Sequence, residues 1–199
     1  MTVLPACPFP NAFWFANGLS SSSVVDIHEN YVKQSFRNRY TILGVHGAID
    51  LTIPVVGQNG LKIATKEIRI TDDPWQRVHW NTIKSAYGKS PFFLHFEDEL
   101  QALYAAKHNF LVDFNLASVS FLIEEIGLEV SVVKSESYVK DFSIDMRSRF
   151  KGKLQGIDFP NYVQTFADRL PFLENASLLD LIFNLGPETP DYLRKIKLS

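Results

Sequence analysis

The chain is poor in the residues on which several classes of protein depend. Its 199 residues include one cysteine, which excludes both an intrachain disulfide and a zinc site built from cysteines. Its 20 lysines and arginines do not exceed its 22 aspartates and glutamates. A protein that neutralises nucleic-acid phosphates usually shows a basic excess, so we expect no nucleic-acid partner.

Long apolar runs and ligand-binding motifs are also absent. No apolar run reaches the roughly 18 residues that a membrane span requires, and no basic region precedes the first apolar residues, so we expect a cytoplasmic protein without a membrane span. The five histidines form no pair at i,i+4, and the glycines are not grouped as in a phosphate-binding loop. We expect no metal site and no cofactor.

The composition is that of an ordinary globular protein, with 46% hydrophobic and 21% charged residues. A chain of this length buries roughly 70% of its unfolded surface around one core, which predicts one domain, or one domain with a small appendage. We expect residues 1–199 to form a single domain. Most of the 16 phenylalanines fall at helical spacing and are assigned to that core. Residues 134–161 show little periodicity and are expected to be irregular.

The hydrophobic pattern predicts an α/β fold with a mixed sheet, a β-hairpin and a block of three helices. The predicted strands lie near residues 2–6, 24–27 and 128–133, and the hairpin covers residues 31–56 around the turn signal His46-Gly47. The helices are predicted at 74–87, from 90 to about 108, and at 109–127, where the apolar period is about 3.6. Because the helices do not alternate with strands, α+β is the alternative class.

Acidic, amide, phenol and basic side chains concentrate in residues 26–39, directly after a predicted buried strand. Open α/β sheets place their ligands at this position. Arg37 and Arg39 offer bidentate forks to a phosphate or carboxylate, and Lys33 adds a point charge. A surface hairpin whose charges pair with one another explains the same residues equally well.

Three further patterns favour structural interpretations. Cys7 has no catalytic signature around it, which indicates a small buried thiol rather than a nucleophile. The alternating basic residues Arg147, Arg149, Lys151 and Lys153 lie in the irregular segment, which favours flexible solvated charge over phosphate binding. The spacing from Ser177 to Asp180 predicts a capping box at the start of a helix.

The order of several unusual elements resembles that of the WbqC-like family of bacterial proteins. The matching elements are Pro8-Phe9-Pro10 with Phe15, Asn30-Tyr31-Val32-Lys33, Asn38-Arg39, the arm Leu51–Val55, Trp75 with His79, Tyr87–Phe93, Asn115, Tyr162–Phe166 and Ser177–Pro187. The chain departs from the family pattern near Pro5 and Phe13, where a polar residue and a glycine are missing. A strand-rich block is also shortened to residues 134–161.

The resemblance implies an enzyme of surface-polysaccharide or nucleotide-sugar metabolism that transfers or modifies a group on an activated sugar, because the family is associated with O-antigen gene clusters. The implied partner is a small anionic ligand such as a nucleotide sugar. The alternative is a non-catalytic binding or assembly protein in which the charged hairpin is structural.

Residue types and family positions together select the candidate site. Proton transfer is assigned to Asp26 or Glu29 with His79. The candidates for substrate binding are Asn30, Tyr31, Lys33, Arg37, Asn38, Arg39, Trp75 and Tyr87.

Overall fold

The fold combines a parallel sheet, a β-hairpin and packed helices, in a computed structural model that describes residues 1–18, 23–57, 62–130, 132–149 and 156–198. The strands are β1 (Thr2–Pro5), β2 (Ser23–Asp26), β3 (Arg39–Gly44), β4 (Gly47–Thr52), β5 (Val133–Lys134), β6 (Ile144–Asp145), β7 (Ile157–Asp158) and β8 (Lys197–Leu198). The α-helices are α1 (Ala12–Gly18), α2 (Trp75–Tyr87), α3 (Phe93–Ala105), α4 (Leu111–Glu125), α5 (Leu178–Leu185) and α6 (Thr189–Leu193).

The central sheet has the strand order β5-β2-β1-β6, and all of its pairings are parallel. The chain leaves β1, passes through α1 and adds β2 on one side. Much later it returns as β6 on the other side of β1. The strand order therefore reverses direction at β1, and the carboxyl ends of β1 and β6 flank the point where such sheets commonly bind ligands.

The antiparallel hairpin of β3 and β4 pairs Arg39 with Thr52 at its open end and Gly44 with Gly47 at its tip. Gly47 has a φ of 114°, a conformation that side chains with a Cβ rarely adopt. The predicted hairpin is confirmed, with strands shorter than the predicted range of 31–56. The loop from β2 to β3 holds most of the polar segment and contains no strand of its own.

Helices α2, α3 and α4 confirm the predicted block, because a stripe of apolar residues on each is fully buried. Examples are Ile83, Leu100 and Phe114, each 0% exposed. Helix α4 also buries two polar residues that hold the loop after β1. Asn115 donates from Nδ2 to the Ala6 main-chain oxygen at 3.2 Å, and Ser118 Oγ accepts from the Phe9 main-chain N–H at 2.9 Å.

The C-terminal helices pack against the beginning of the chain. The Leu178 main-chain N–H donates to the Pro10 oxygen at 2.9 Å, and Ser177 Oγ donates to the Phe9 oxygen at 2.9 Å. Leu178, Leu179, Ile182 and Phe183 are fully buried. Residues separated by about 170 positions therefore contribute to one hydrophobic cluster.

The α/β class, the hairpin and the helix block are as predicted, whereas two predictions for the residues after α4 differ from the structure. The strand predicted at 128–133 is observed as the two-residue strand β5. The segment expected to be irregular contains β6 and β7. Lys151 and Lys153 lie outside the described residues.

Candidate functional site

Three strand ends converge on Asp26, the last residue of β2, whose side chain is fully buried. Arg147, two residues beyond β6, donates from Nη1 to Asp26 Oδ2 at 2.5 Å. Ser135, directly after β5, donates from Oγ to Asp26 Oδ1 at 3.1 Å. A buried carboxylate therefore lies at the edge of the sheet where open α/β folds place ligands.

A second ion pair, between Glu29 and Arg37, lies beside the first. Arg37 donates from Nε to Glu29 Oε1 at 2.9 Å and from Nη2 to Glu29 Oε2, so the pair is bidentate. The same Nη2 donates to the Arg147 main-chain oxygen at 3.4 Å. Arg147 forms its own bidentate pair with Asp145. We call Asp26, Glu29, Arg37, Asp145 and Arg147 the strand-end cluster.

Both arginines of the strand-end cluster form ion pairs with carboxylates of the same cluster. Hydrogen bonding to Asp145 raises the pKa of Arg147, and the same bond lowers the pKa of Asp145. Burial raises the pKa of Glu29, while the hydrogen bond from Arg37 opposes that rise. An anionic ligand would therefore have to displace a carboxylate before it could bind Arg37.

A narrow cleft opens past the end of β1, and we call it the Arg39 cleft. Its lining includes Cys7, Phe36, Arg39, Thr41 and Ser177. It holds about 290 Å³ of empty space including its solvent-open part, of which the centres of water-sized molecules can occupy about 10 Å³. That is room for about one water molecule. The cleft therefore admits one narrow group, and a larger molecule would extend over the rim.

Arg39 supplies the positive charge at this cleft. Its guanidinium donates from Nε to Thr52 Oγ1 at 3.1 Å and from Nη1 to Asp50 Oδ2 at 3.4 Å. The Arg39 side chain is 32% exposed and that of Asp50 is 50% exposed. Surface ion pairs of this kind contribute about 0–1 kcal/mol. Arg39 can therefore exchange Asp50 for another anion at little cost.

Cys7 forms part of the wall of the Arg39 cleft but is buried beneath its surface. The residue is 3% exposed, and its thiol donates to the Pro5 main-chain oxygen at 3.4 Å. Burial raises the pKa of the Cys7 thiol. The thiol therefore stays protonated at neutral pH, as expected for a buried structural cysteine.

The predicted residues of the loop from β2 to β3 differ in exposure. Asn30 and Lys33 are exposed, whereas Tyr31 is buried. Asn38 is buried at the start of the hairpin, where Nδ2 donates to the Ile53 main-chain oxygen at 3.0 Å. The loop thus presents its lysine to solvent and uses Asn38 to fasten the hairpin.

His79 and Trp75 lie in a separate buried network. Because a carbonyl oxygen only accepts, His79 Nε2 must donate to the Thr52 oxygen at 3.2 Å, and Nδ1 accepts from Tyr40 Oη at 2.9 Å. The Trp75 ring packs edge-on, 5.0 Å from the His79 ring. Burial lowers the pKa of His79 to about 4, so the ring is neutral at pH 7. The described lining of the Arg39 cleft includes neither residue.

A further buried carboxylate, Asp180, was not among the candidates that the sequence indicated. Asp180 Oδ1 accepts from Tyr87 Oη at 2.7 Å, and Oδ2 accepts from Tyr162 Oη and from Gln164 Nε2 at 2.9 Å. Tyr87 Oη also accepts from the Leu43 main-chain N–H at 2.9 Å. Burial raises the pKa of Asp180, and its three hydrogen bonds oppose the rise. Tyr87 therefore joins α2, α5 and β3 inside the core.

Two residues that the sequence did not indicate as candidates, Arg147 and Asp180, lie in patterns that we interpreted differently. The alternating basic residues include Arg147, for which the prediction of solvated charge is wrong because Asp26 and Asp145 bind it. The capping box includes Asp180. Ser177 caps the helix as predicted, accepting from the Leu179 N–H at 3.3 Å. The Asp180 side chain instead turns towards the tyrosines.

Two further kinds of feature are absent from the part of the chain that the structure describes. No group of three or more histidine, cysteine, aspartate and glutamate side chains there is arranged to hold a metal ion. No helix there is long and apolar enough to cross a membrane.

Comparison with known proteins gives one family and one relative. The model of the WbqC-like protein family matches residues 9–152. The chain is 24% identical over 195 residues to the uncharacterized protein Rv1507c of Mycobacterium tuberculosis, an alignment that covers 82% of this chain and 84% of that protein. No solved structure matches the chain.

Proposed function

This chain belongs to the WbqC-like protein family, and from that membership and the charge at the Arg39 cleft we propose an enzyme that binds the phosphate of an activated sugar at Arg39. The proposed process is surface-polysaccharide or nucleotide-sugar metabolism.

The observation that carries the proposal is the difference between the two arginines of the polar segment. Arg37 is buried in a bidentate pair with Glu29. Arg39 is partly exposed at the rim of the cleft, and among the residues that the structure describes only the half-exposed Asp50 forms an ion pair with it. A guanidinium that can be released from a weak surface pair is available for a phosphate, to which it donates two parallel hydrogen bonds.

The surroundings of Arg39 suit the phosphate end of a larger ligand. The cleft lies past the carboxyl end of β1, where the strand order reverses, and its interior has room for one narrow group. Phe36 lines the cleft three residues after the exposed Lys33. In the proposed complex the phosphate binds Arg39 at the rim of the cleft, Lys33 adds a second charge, and the rest of the ligand lies over the rim.

The proton-transfer roles of Asp26, Glu29 and His79 stay predictions. The described lining of the Arg39 cleft includes none of the three. Burial raises the pKa of Glu29, the direction that suits a general acid. A proton-transfer role for Glu29 would require the Arg37 pair to open when the ligand binds.

Calorimetric titration with nucleoside-diphosphate sugars tests the binding proposal. Arg39→Ala should weaken binding roughly 10- to 100-fold, as expected for the loss of a charged hydrogen-bonding group. Asp50→Asn should tighten binding by up to about fivefold, because it removes the carboxylate that competes for Arg39. Arg77→Ala, at an exposed position in α2, is the matched control and should change nothing.

The alternative function, a non-catalytic binding or assembly protein, has an observation in its favour. Asp50 accepts from both Arg39 and Thr41, so these hairpin charges satisfy one another. If these hairpin charges are purely structural, Arg39→Ala and Asp50→Asn will both lower the free energy of unfolding, and neither will alter nucleotide-sugar binding. Equal affinity of wild type and Arg39→Ala would end the phosphate proposal.

A further inference from the structure

A second cavity lies between the hairpin and the C-terminal part of the chain, and we call it the Tyr162 cavity. It has a volume of about 210 Å³, and its lining includes Leu43, Asn161, Tyr162, Gln164 and Phe172. By the volume that water occupies in the liquid, this is room for roughly seven waters. That is enough for one six-membered ring with its substituents and below the roughly 300 Å³ at which pockets for larger ligands begin.

One wall of the Tyr162 cavity is fixed by buried hydrogen bonds. Asp180 accepts from both Tyr162 and Gln164, as described above. The amide of Gln164 is further held by Leu173, because Nε2 donates to the Leu173 oxygen at 3.0 Å and Oε1 accepts from its N–H at 2.8 Å. The aromatic rings of Tyr162 and Phe172 pack edge to face at 5.2 Å. The cavity is therefore preformed rather than a gap between mobile loops.

The chemistry of the lining is neutral, with both polar and aromatic groups. The described lining contains no lysine, arginine, aspartate or glutamate. The Asn161 side chain is exposed at the cavity and makes no hydrogen bond to any residue that the structure describes. An amide offers both a donor and an acceptor, which suits hydroxyl groups, while aromatic rings suit the C–H faces of a saturated ring.

From these observations we propose that the Tyr162 cavity binds a single neutral sugar ring. Asn161 would hydrogen-bond its hydroxyls, and Tyr162 and Phe172 would contact its apolar face. An anionic ligand is disfavoured because the described lining has no cation and the carboxylate of Asp180 lies behind the wall. The proposal rests on this cavity and does not require a phosphate at Arg39.

The two sites lie along one strand. Arg39 and Thr41 line the Arg39 cleft and Leu43 lines the Tyr162 cavity, and alternate residues of a strand share one face. Arg39 and Leu43 are four residues apart, so their Cα atoms are about 13 Å apart at the usual rise per residue. A bound sugar in the second site would therefore lie within reach of a second substrate anchored at the first.

The test uses the intact protein and unphosphorylated monosaccharides: glucose, galactose, mannose and N-acetylglucosamine. Binding is followed by saturation-transfer NMR and by chemical-shift changes in the protein. Ala167→Phe places a ring into the lining and should abolish binding. Val163→Phe introduces the same ring at a residue that is 80% exposed, and it should leave binding intact.

A second variant keeps the test valid if Ala167→Phe disturbs the fold. Asn161→Ala removes an exposed side chain and should weaken binding roughly 2- to 10-fold without loss of stability. Arg39→Ala should have no effect on neutral sugars, which separates this proposal from the phosphate proposal. Absence of saturable binding to all four sugars, or binding that survives both cavity variants, would overturn it.

Discussion

At the scale of single residues, His79 shows how burial and hydrogen bonding set a protonation state. The ring is 3% exposed, and its two nitrogens are committed to a main-chain oxygen and to Tyr40. Protonation would place a second donor against the Tyr40 hydroxyl and a charge in the core, which explains why burial lowers the pKa of His79.

This lowered pKa predicts a loss of stability in mild acid. The unfolded chain takes up a proton on His79 near pH 6.5, whereas the folded chain takes it up near pH 4. Between those values the unfolded state binds more protons, so the free energy of unfolding falls as pH falls. The loss from this residue should reach roughly 3 kcal/mol at pH 4. Urea titrations from pH 7 to pH 4 measure it.

A variant isolates the contribution of His79. His79→Gln should retain hydrogen-bonding capacity and flatten the decline between pH 6.5 and pH 4. His46→Gln, at the exposed hairpin tip, is the control and should follow the wild-type curve. If the His79 variant declines as steeply as the control, the ring does not resist protonation in the folded state.

Sequence reasoning identified part of the strand-end cluster, and chain separation explains the part that it missed. Asp26, Glu29 and Arg37 were identifiable because they occur close together after a buried strand. Arg147 binds Asp26 from 121 positions away, and the residues around it show no hydrophobic period. A cation from a distant segment cannot be matched to its carboxylate before the sheet order is known.

At the scale of secondary structure elements, Arg147 acts as a tie between strands. It joins the end of β2 to the residues after β6, and its Nη1 also donates to the Val139 oxygen in the connection between β5 and β6 at 3.0 Å. Strands β5 and β6 each contain two residues and have little pairing of their own. Much of the order at the carboxyl ends of these strands therefore depends on one guanidinium.

Arg147→Ala should accordingly be among the most damaging single substitutions. It leaves the fully buried Asp26 without its cation, and breaking a buried pair in this way typically costs about 3–5 kcal/mol. Arg149→Ala, two residues later at an exposed position, should change the free energy of unfolding by less than about 0.5 kcal/mol. Urea unfolding of both variants measures the difference. Similar losses in the free energy of unfolding would show that the Arg147–Asp26 ion pair does not hold the strands together.

The elements themselves were predictable to the extent that they repeat a pattern. Helices of 13 to 15 residues show several turns of apolar period, so α2, α3 and α4 were recognisable with small boundary errors. A two-residue strand shows no alternation at all. This explains why β6 was not predicted and why β5 was predicted too early in the chain. It also explains why the parallel order of the sheet could not be predicted from the sequence.

At the scale of the whole molecule, the two ends of the chain form one hydrophobic cluster. The family model ends at residue 152, yet α5 lies beyond it and is among the most buried elements. Main-chain bonds from Ala12 to Ala176 and from Leu178 to Pro10 join the two regions. A core shared in this way favours a single folding unit over an independent C-terminal part.

We therefore predict one cooperative unfolding transition for the chain. Hydrogen exchange measured in increasing urea should give the most protected amides of α4 and α5 the same free energy of opening. The exposed loop at residues 32–34 serves as an internal control and should exchange without global unfolding. If α5 opens at a clearly lower free energy than α4, the C-terminal part is a separate unit and the single-domain prediction fails.

The burial of Cys7 gives the protein a built-in chemical reporter. Cys7 lies in the loop that follows β1, where it is 3% exposed and forms part of the wall of the Arg39 cleft, and the chain has no other cysteine. A thiol-reactive dye can reach it only when that region opens. The labelling rate therefore reports how often this region opens, and no engineered residue is needed. A ligand that stabilises the neighbouring cleft should slow the labelling.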